Sequence, residues 1–353
     1  MSTSARRTPS AAAPVSAGSS GSPVADPPWI ARQVQALLPQ QGHALLLAGP
    51  SGLGQYSLAL ALARAWLCDQ PTPQGACGQC TSCHAVDVRA HSELLVLMPE
   101  VLALELNWPL DEKTRDKIEK KEVKASKWIR VEAARAVVDF AQTTRSRGRT
   151  KVVLVYPADR LNTESANTLL KTLEEPAGDL RFVLATDAAH ALPATVRSRC
   201  QTHALQWPGE AEALAWLGQQ APGSDEASRR LWLRAAAGRP SDALEWAQVG
   251  LTAGQWQLLP AAVSRGDGSV LSAWGPARQL DALQKCCHDA LARASGAEPR
   301  FFRAADLPPP APWIALQAWS RDLLQAAKTV EHPYSAGLML DAWMARSASV
   351  WRE

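Results

Sequence analysis

The sequence predicts a parallel α/β domain followed by helical domains, on three observations. Short β-rich apolar runs alternate with helical patterns over the first two thirds of the chain. A glycine-rich turn joins the first of those runs to a helix, and beyond Pro208 the strand-like runs stop while helical spacing continues. The 353 residues exceed one ordinary domain, and a 46% hydrophobic content supplies a core, which excludes a wholly disordered chain.

Residues 1–26 are rich in Ser, Ala, Pro and Gly, with two arginines and no apolar core segment, so they read as a solvated, disordered tail and not as a secretory signal. The expected compartment is the cytoplasm. Strands are expected at Ala44–Ala48, Leu94–Met98, Val152–Val155 and Arg181–Ala185, each separated from the next by enough chain for a crossover helix. The longest apolar runs fall far short of the roughly 20 residues of a membrane span, so no membrane partner is expected. Between Thr163 and Glu175 the residues Ala166, Leu169, Leu170 and Leu173 fall at i, i+3, i+4 and i+7, with Pro176 just beyond, which predicts one apolar helix face against the sheet. From Glu100 to Lys127 twelve charges of mixed sign, Asp111 to Lys127, predict a solvated insertion. Beyond Pro208, Gly/Pro breaks at 238–240, 266–268 and 308–312 divide the helical patterns.

Net charge is only +3, from 37 basic and 34 acidic residues, so a chain-wide phosphate-binding surface is not implied. Seven cysteines, four of them between Cys68 and Cys83, are unlike a secreted disulfide framework. Cys68, Cys77, Cys80 and Cys83 are spaced C-x8-C-x2-C-x2-C, with Gly75 and Gly78 allowing tight turns. Four thiolates satisfy tetrahedral Zn²⁺ and leave no position for a catalytic water, so the predicted site is structural. Free thiols and an iron–sulfur cluster are the alternatives, the latter lacking its fourth cysteine and proline. His84 and His91 read as bystanders, and Cys286 and Cys287 as core or surface thiols. Fourteen tryptophans against four phenylalanines have no explanation in the sequence alone.

Strand Ala44–Ala48 runs into Gly49-Pro50-Ser51-Gly52-Leu53-Gly54-Gln55-Tyr56 and then a helical run, the setting of a phosphate-binding loop. Gly49 and Gly54 fit G-x-x-x-x-G-K-[ST]. Gln55 stands where a lysine would neutralise phosphate charge, and Tyr56 where a small hydroxyl would ligate Mg²⁺. After the strand at 152–155, where a Walker-type ATPase carries an acidic pair, this chain has Tyr156-Pro157. Asp159 reads as a polar loop residue. With lysine, magnesium ligand and acid pair all replaced, ATP hydrolysis by this chain is not expected.

A lysine-less phosphate loop, a cysteine knuckle directly after its helix, the stretch Asn167–Pro176, then Phe182–Thr186 and Arg197-Ser198-Arg199-Cys200, together resemble the delta-prime subunits of bacterial DNA polymerase III clamp loaders. The resemblance is strongest over residues 28–208. It is weaker at Ala237–Leu244, similar to a lid segment, and at His332–Trp343, similar to a final collar helix. It implies a P-loop NTPase-like (AAA+) sheet domain over residues 27–207 with the knuckle at 68–83 and the insertion at 100–127. A small helical lid would follow over 208–248 and an all-α collar over 249–353. The partners it implies are ATPase sister subunits and a clamp-opening subunit, with the sliding clamp and primed DNA reached through the complex. ATP would bind only at a neighbouring subunit, where Arg199 would act as an arginine finger in trans, with Arg197 the lesser candidate. Thr186 occupies the sensor-like position, and Gly49, Gly54, Gln55 and Tyr56 form the degenerate loop. No independent enzymatic activity is expected. Sister ATPases of the tau/gamma type, which keep the lysine and acid pair, remain an alternative, as do a zinc-dependent nuclease and a zinc-containing DNA-binding module.

Overall fold

The computed structural model describes residues 26–40, 42–146, 148, 150–330, 332 and 335–352. The tail expected over residues 1–26 lies outside the described residues apart from Asp26. The chain forms two compact units, Met1–Trp207 and Pro208–Glu353. Among the described residues no helix is long and apolar enough to cross a membrane.

The first unit runs α1 (Pro28–Leu37), β1 (Ala44–Ala48), α2 (Gln55–Leu67), α3 (Thr81–Asp87), β2 (Leu94–Leu97), α4 (Glu100–Glu105), α5 (Glu112–Glu119), α6 (Val131–Gln142), β3 (Lys151–Val155), α7 (Thr163–Glu174), β4 (Leu180–Thr186), α8 (Ala194–Arg197) and β5 (Gln201–Ala204). Its five strands pair in parallel in the order β2-β3-β4-β1-β5. Helices cover both faces, which is why Val152–Val155 of β3 and Phe182–Ala185 of β4 read as unbroken apolar runs and not as alternating ones. Leu46, Val153, Phe182 and Leu184 share a core with α6 and α7. Their neighbours Leu45, Leu47, Leu154 and Val183 are buried on the opposite face, where α2 packs against β1, β3 and β4. The sequence reading lacks β5. That strand is a polar, largely exposed edge beside β1, Gln201-Thr202-His203-Ala204, so no apolar run announces it.

The charged insertion is solvated only in part. Helix α5 buries no residue, in keeping with its mixed charge. The flanks are anchored: Glu100 accepts a hydrogen bond from the Ser126 backbone N–H at 2.8 Å and pairs with Arg130 at 2.9 Å, while Trp108 is buried. Lys151, at the start of β3, donates from Nζ to the Phe140 carbonyl and the Thr143 hydroxyl, each at 2.7 Å, and to the Thr143 carbonyl. It thereby satisfies orphan carbonyls at the end of α6.

The second unit is helical: α9 (Glu210–Gln220), α10 (Glu226–Ala235), α11 (Pro240–Gln248), α12 (Ala253–Arg265), α13 (Pro276–Ala294), α14 (Trp313–Ala327) and α15 (Ala336–Val350). One core runs through it from Ala213 to Val350 and takes in Cys286 and Cys287. Tryptophans build much of that core. Trp246 meets Trp256 and Trp274 edge-on at 5.6 and 5.0 Å, Trp256 stacks on Phe302 at 4.6 Å, and Trp319 meets Trp351 at 5.4 Å. Wide rings fill the gaps between short helices, which gives part of the tryptophan excess a packing role.

Asp289 is the polar keystone of this unit. Fully buried on α13, it accepts from the backbone N–H groups of Arg300, Phe301 and Phe302 at 2.9, 2.7 and 2.8 Å. These bonds fix the loop that carries Phe302 into the core. Asp289→Ala orphans three donors at once and is expected to lower the unit's stability by about 3 kcal/mol, with Asp289→Asn intermediate. Denaturant unfolding followed by tryptophan fluorescence measures both; no change in either variant would refute the role.

Candidate functional site at the carboxyl edge of the sheet

Because every strand is parallel, the carboxyl ends of β1 to β5 lie along one edge, the place where ligands bind in open α/β sheets. The loop from Gly49 to Gly54 leaves β1 there and enters α2. Gly54 has φ +95°, which favours glycine, and a Cβ on it would stand 3.0 Å from Ile30. A Cβ on Gly49 would meet Leu205 at 3.0 Å. Glycine is thus required at both ends of the loop, by close packing at Gly49 and by packing and backbone conformation at Gly54.

Two of its carbonyls are bound by a side chain of the same segment. Gln55, 5% exposed, donates from Nε2 to the Gly49 carbonyl at 2.7 Å and the Pro50 carbonyl at 2.6 Å. An amide standing in for the lysine therefore staples the loop to itself, where an ammonium would reach outward to phosphate. Tyr56, the next residue, lies with its ring 5.2 Å from that of Tyr156, which occupies the position expected for an acid. Trp108, from the insertion, donates its indole N–H to the Tyr56 hydroxyl at 2.7 Å, and Arg89 lies over the Trp108 ring at 5.6 Å. Burial pushes the Tyr56 hydroxyl above its ordinary value, against the opposing pull of the Trp108 and Arg89 donors. Two phenols and an indole offer no ligand suited to Mg²⁺, which takes carboxylate, phosphate and water oxygens. The sequence reading missed Trp108; its one signal was a tryptophan among Leu104, Leu106 and Leu110, just before the charged run that begins at Asp111.

Thr186, fully buried at the end of β4, donates to Asp159 Oδ1 at 2.6 Å and accepts from the Ala188 N–H at 3.0 Å. Both hydroxyl partners are thus supplied by the chain. Asp159 also lies 3.6 Å from Arg160.

Arg199 sits just after α8. Arg197, the last residue of α8, reaches back toward the Ala189 carbonyl at 3.5 Å. Arg199 donates from Nε and Nη2 to Glu174 Oε2 at 3.3 and 3.1 Å, and from Nη1 to the Thr195 carbonyl at 3.0 Å. Its side chain keeps 31% of its surface exposed.

The four knuckle cysteines come together where α2 ends and α3 begins. Cys68 closes α2, and Cys80 caps α3 by accepting from the Cys83 N–H at 3.4 Å. Between them, Thr72 and Gly75 pair through backbone bonds of 2.8 and 3.0 Å, and the Cys77 N–H donates to Cys68 Sγ at 3.3 Å. The four Sγ atoms lie within 4.8 Å of one another. Three of the separations are 3.6, 3.8 and 4.0 Å, for Cys68–Cys83, Cys68–Cys80 and Cys77–Cys83. A tetrahedron with Zn–S bonds of about 2.3 Å has edges of about 3.8 Å, so the tetrad fits a metal of that size. Asp69 braces it, accepting from Ser82 Oγ at 2.8 Å and from the Ser82 N–H and Thr81 hydroxyl, both at 3.2 Å; these bonds, Ser82 foremost, hold its carboxyl below the usual range. Backbone N–H groups of Gln79 and Cys80 pull the Cys77 thiol down to about 6, whereas burial pushes the Cys68 and Cys83 thiols up. His84 and His91 are outside the tetrad; His91 Nδ1 accepts from the Glu93 N–H at 3.1 Å.

Residues 33–208 match the family described as DNA polymerase III, delta subunit. The chain is 31% identical over 278 residues to DNA polymerase III subunit delta' of Escherichia coli strain K12, over 73% of this chain and 76% of that protein. It is 37% identical over 183 residues to the subunit of the same name from Pseudomonas aeruginosa, over 52% of this chain and 49% of the relative, so the match spans about half of that relative's length. It is also 29% identical over 234 residues to DNA polymerase III subunit tau of Escherichia coli, over 65% of this chain and 32% of that one. With its five-stranded parallel sheet, the chain belongs to the DNA polymerase III subunit delta' family.

Proposed function

We propose that the chain is a non-hydrolysing subunit of the clamp loader of the replicative DNA polymerase. In this reading it assembles in the cytoplasm with ATPase subunits and a clamp-opening subunit, and acts on the sliding clamp and primed DNA through that complex. The observation that carries it is Gln55, bonded to the Gly49 and Pro50 carbonyls inside its own loop. A chain that retains the fold of a nucleotide-binding domain while binding carbonyls of its phosphate loop with its own side chain is suited to assembly and not to turnover. Arg199 then serves a neighbour's ATP in trans, its planar and permanently charged guanidinium meeting γ-phosphate charge. The four cysteines hold one structural Zn²⁺ that ties the end of α2 to the start of α3. The segments 208–248 and 249–353 are the lid and the collar.

The purified chain is expected to release no phosphate from ATP. Gln55→Lys alone is expected to leave that unchanged, since Tyr56 and Tyr156 still fill the cation's place; robust turnover by the wild-type chain would overturn the reading.

In the reconstituted complex, Arg199→Ala is expected to assemble normally with reduced ATP hydrolysis and clamp loading. An arginine finger contributes on the order of a thousandfold at a site it dominates, diluted here because other sites keep their own arginines. Arg199→Lys should rescue poorly for want of the fork geometry. Unchanged hydrolysis and loading in both variants would remove Arg199 from the mechanism.

Metal analysis is expected to find one zinc per chain, and none after Cys80→Ser with Cys83→Ser, with the sheet still folded. Near pH 7, zinc binding should displace protons from Cys68 and Cys83, whose thiols are held high, and few from Cys77, held at about 6. Affinity should therefore rise with pH. Calorimetry in buffers of differing ionisation enthalpy counts those protons; a release near zero would contradict the assignment.

A further inference from the structure

We infer that Glu174 is the positioning residue of Arg199, an inference that rests on Arg199 serving a neighbouring subunit's ATP. Glu174 is the last residue of α7, and Arg199 follows the last turn of α8. A carboxylate at the end of α7 and a carbonyl within the short turn α8 thus meet one guanidinium. Glu174 Oε2 takes the Nε and Nη2 donors, and the Thr195 carbonyl takes a donor from Nη1 beside one from the Ser198 hydroxyl at 3.2 Å. A guanidinium has five N–H donors. Three are spent on these two acceptors, and one on Nη1 and one on Nη2 remain for an outside oxygen, on a side chain that keeps 31% of its surface exposed.

This arrangement fixes the long side chain before any partner arrives. An arginine held at Nε and at both of its terminal nitrogens loses little rotamer freedom on docking, and it keeps two uncommitted N–H donors for phosphate oxygens. Glu174 is itself well exposed, so the pair adds little to the stability of the fold, as exposed ion pairs generally do. What it supplies is orientation, to which a transferring phosphoryl group is sensitive.

The test uses the reconstituted complex of this chain with its ATPase and clamp-opening subunits, carrying Glu174→Ala, Glu174→Gln, Arg199→Ala and the double variant Glu174→Ala with Arg199→Ala. Assembly is read by size exclusion, and kcat and KM for DNA-stimulated ATP hydrolysis are measured separately. Glu174→Ala is expected to reproduce at least half of the fold-loss in kcat seen with Arg199→Ala, with KM and assembly unchanged. It is expected to add nothing in the Arg199→Ala background. Glu174→Gln, whose amide oxygen still accepts from Nε and Nη2, should restore most of the rate. Losses that multiply in the double variant, a kcat that rises in Glu174→Ala, or an unchanged kcat there while Arg199→Ala is impaired would each overturn the positioning role and leave the finger intact. An unchanged Arg199→Ala would instead overturn the finger itself.

Discussion

The constraint on which the first unit depends is that all five strands run the same way. Parallel pairing brings the ends of β1, β2, β3 and β4 to one edge, and with them the loop at Gly49–Gly54, the chain leading into the insertion, Tyr156 and Thr186. Residues far apart in sequence meet there because the hydrogen-bonding register leaves them no other place: Tyr56 and Trp108 are 52 residues apart, yet their polar atoms lie 2.7 Å from each other. Central β1 and β3 cannot be polar, since helices cover them on both faces. The edge on which their ends open is therefore free to vary in chemistry while the sheet is not.

That separation explains what was legible in the sequence. Val152-Val153-Leu154-Val155 could only be an interior strand, and C-x8-C-x2-C-x2-C could only bring thiols together if a turn and a helix start lay between them. The replacement of the lysine by Gln55 was equally plain. Its new task was not, because the partners of Gln55 are backbone carbonyls, and these carry no side-chain signature. Trp108 was hidden for a related reason. The charge that follows it describes the solvated helix α5, and whether one tryptophan beside such a segment turns inward depends on the room beside Tyr56, which is a tertiary fact. Strand β5 escaped because an exposed edge strand beside an apolar one needs no apolar residues of its own.

The tryptophan excess belongs to the same account. In the second unit the helices range from 9 to 19 residues and are joined by connections of unequal length, so the core between them is irregular. Rings that meet edge-on or stacked, as around Trp246, Trp256 and Trp319, span such irregular gaps with few rotamers to freeze. Periodicity reveals a helix's buried face but not the volume it must fill, and so composition alone offered no reason for these residues.

In both units several buried ionisable groups are held by the backbone, whereas buried Lys285 is held by the Asp281 carboxylate. Lys151 donates to carbonyls at the end of α6, Asp289 accepts from three consecutive N–H groups, Glu100 from Ser126, and Glu93 from the Ser146 N–H at 2.8 Å. A charge that binds backbone groups stitches a loop to a helix or strand with several bonds at once, and its desolvation is offset without a second buried charge. Arg199 follows the same pattern at the Thr195 carbonyl and departs from it in two respects: its other partner is an exposed carboxylate, and its own surface stays open. Side chains bound on all sides can only hold structure. Arg199 is bound at Glu174 and Thr195 and still keeps part of its surface exposed, whereas Gln55 is buried with its amide spent on two carbonyls of its own loop.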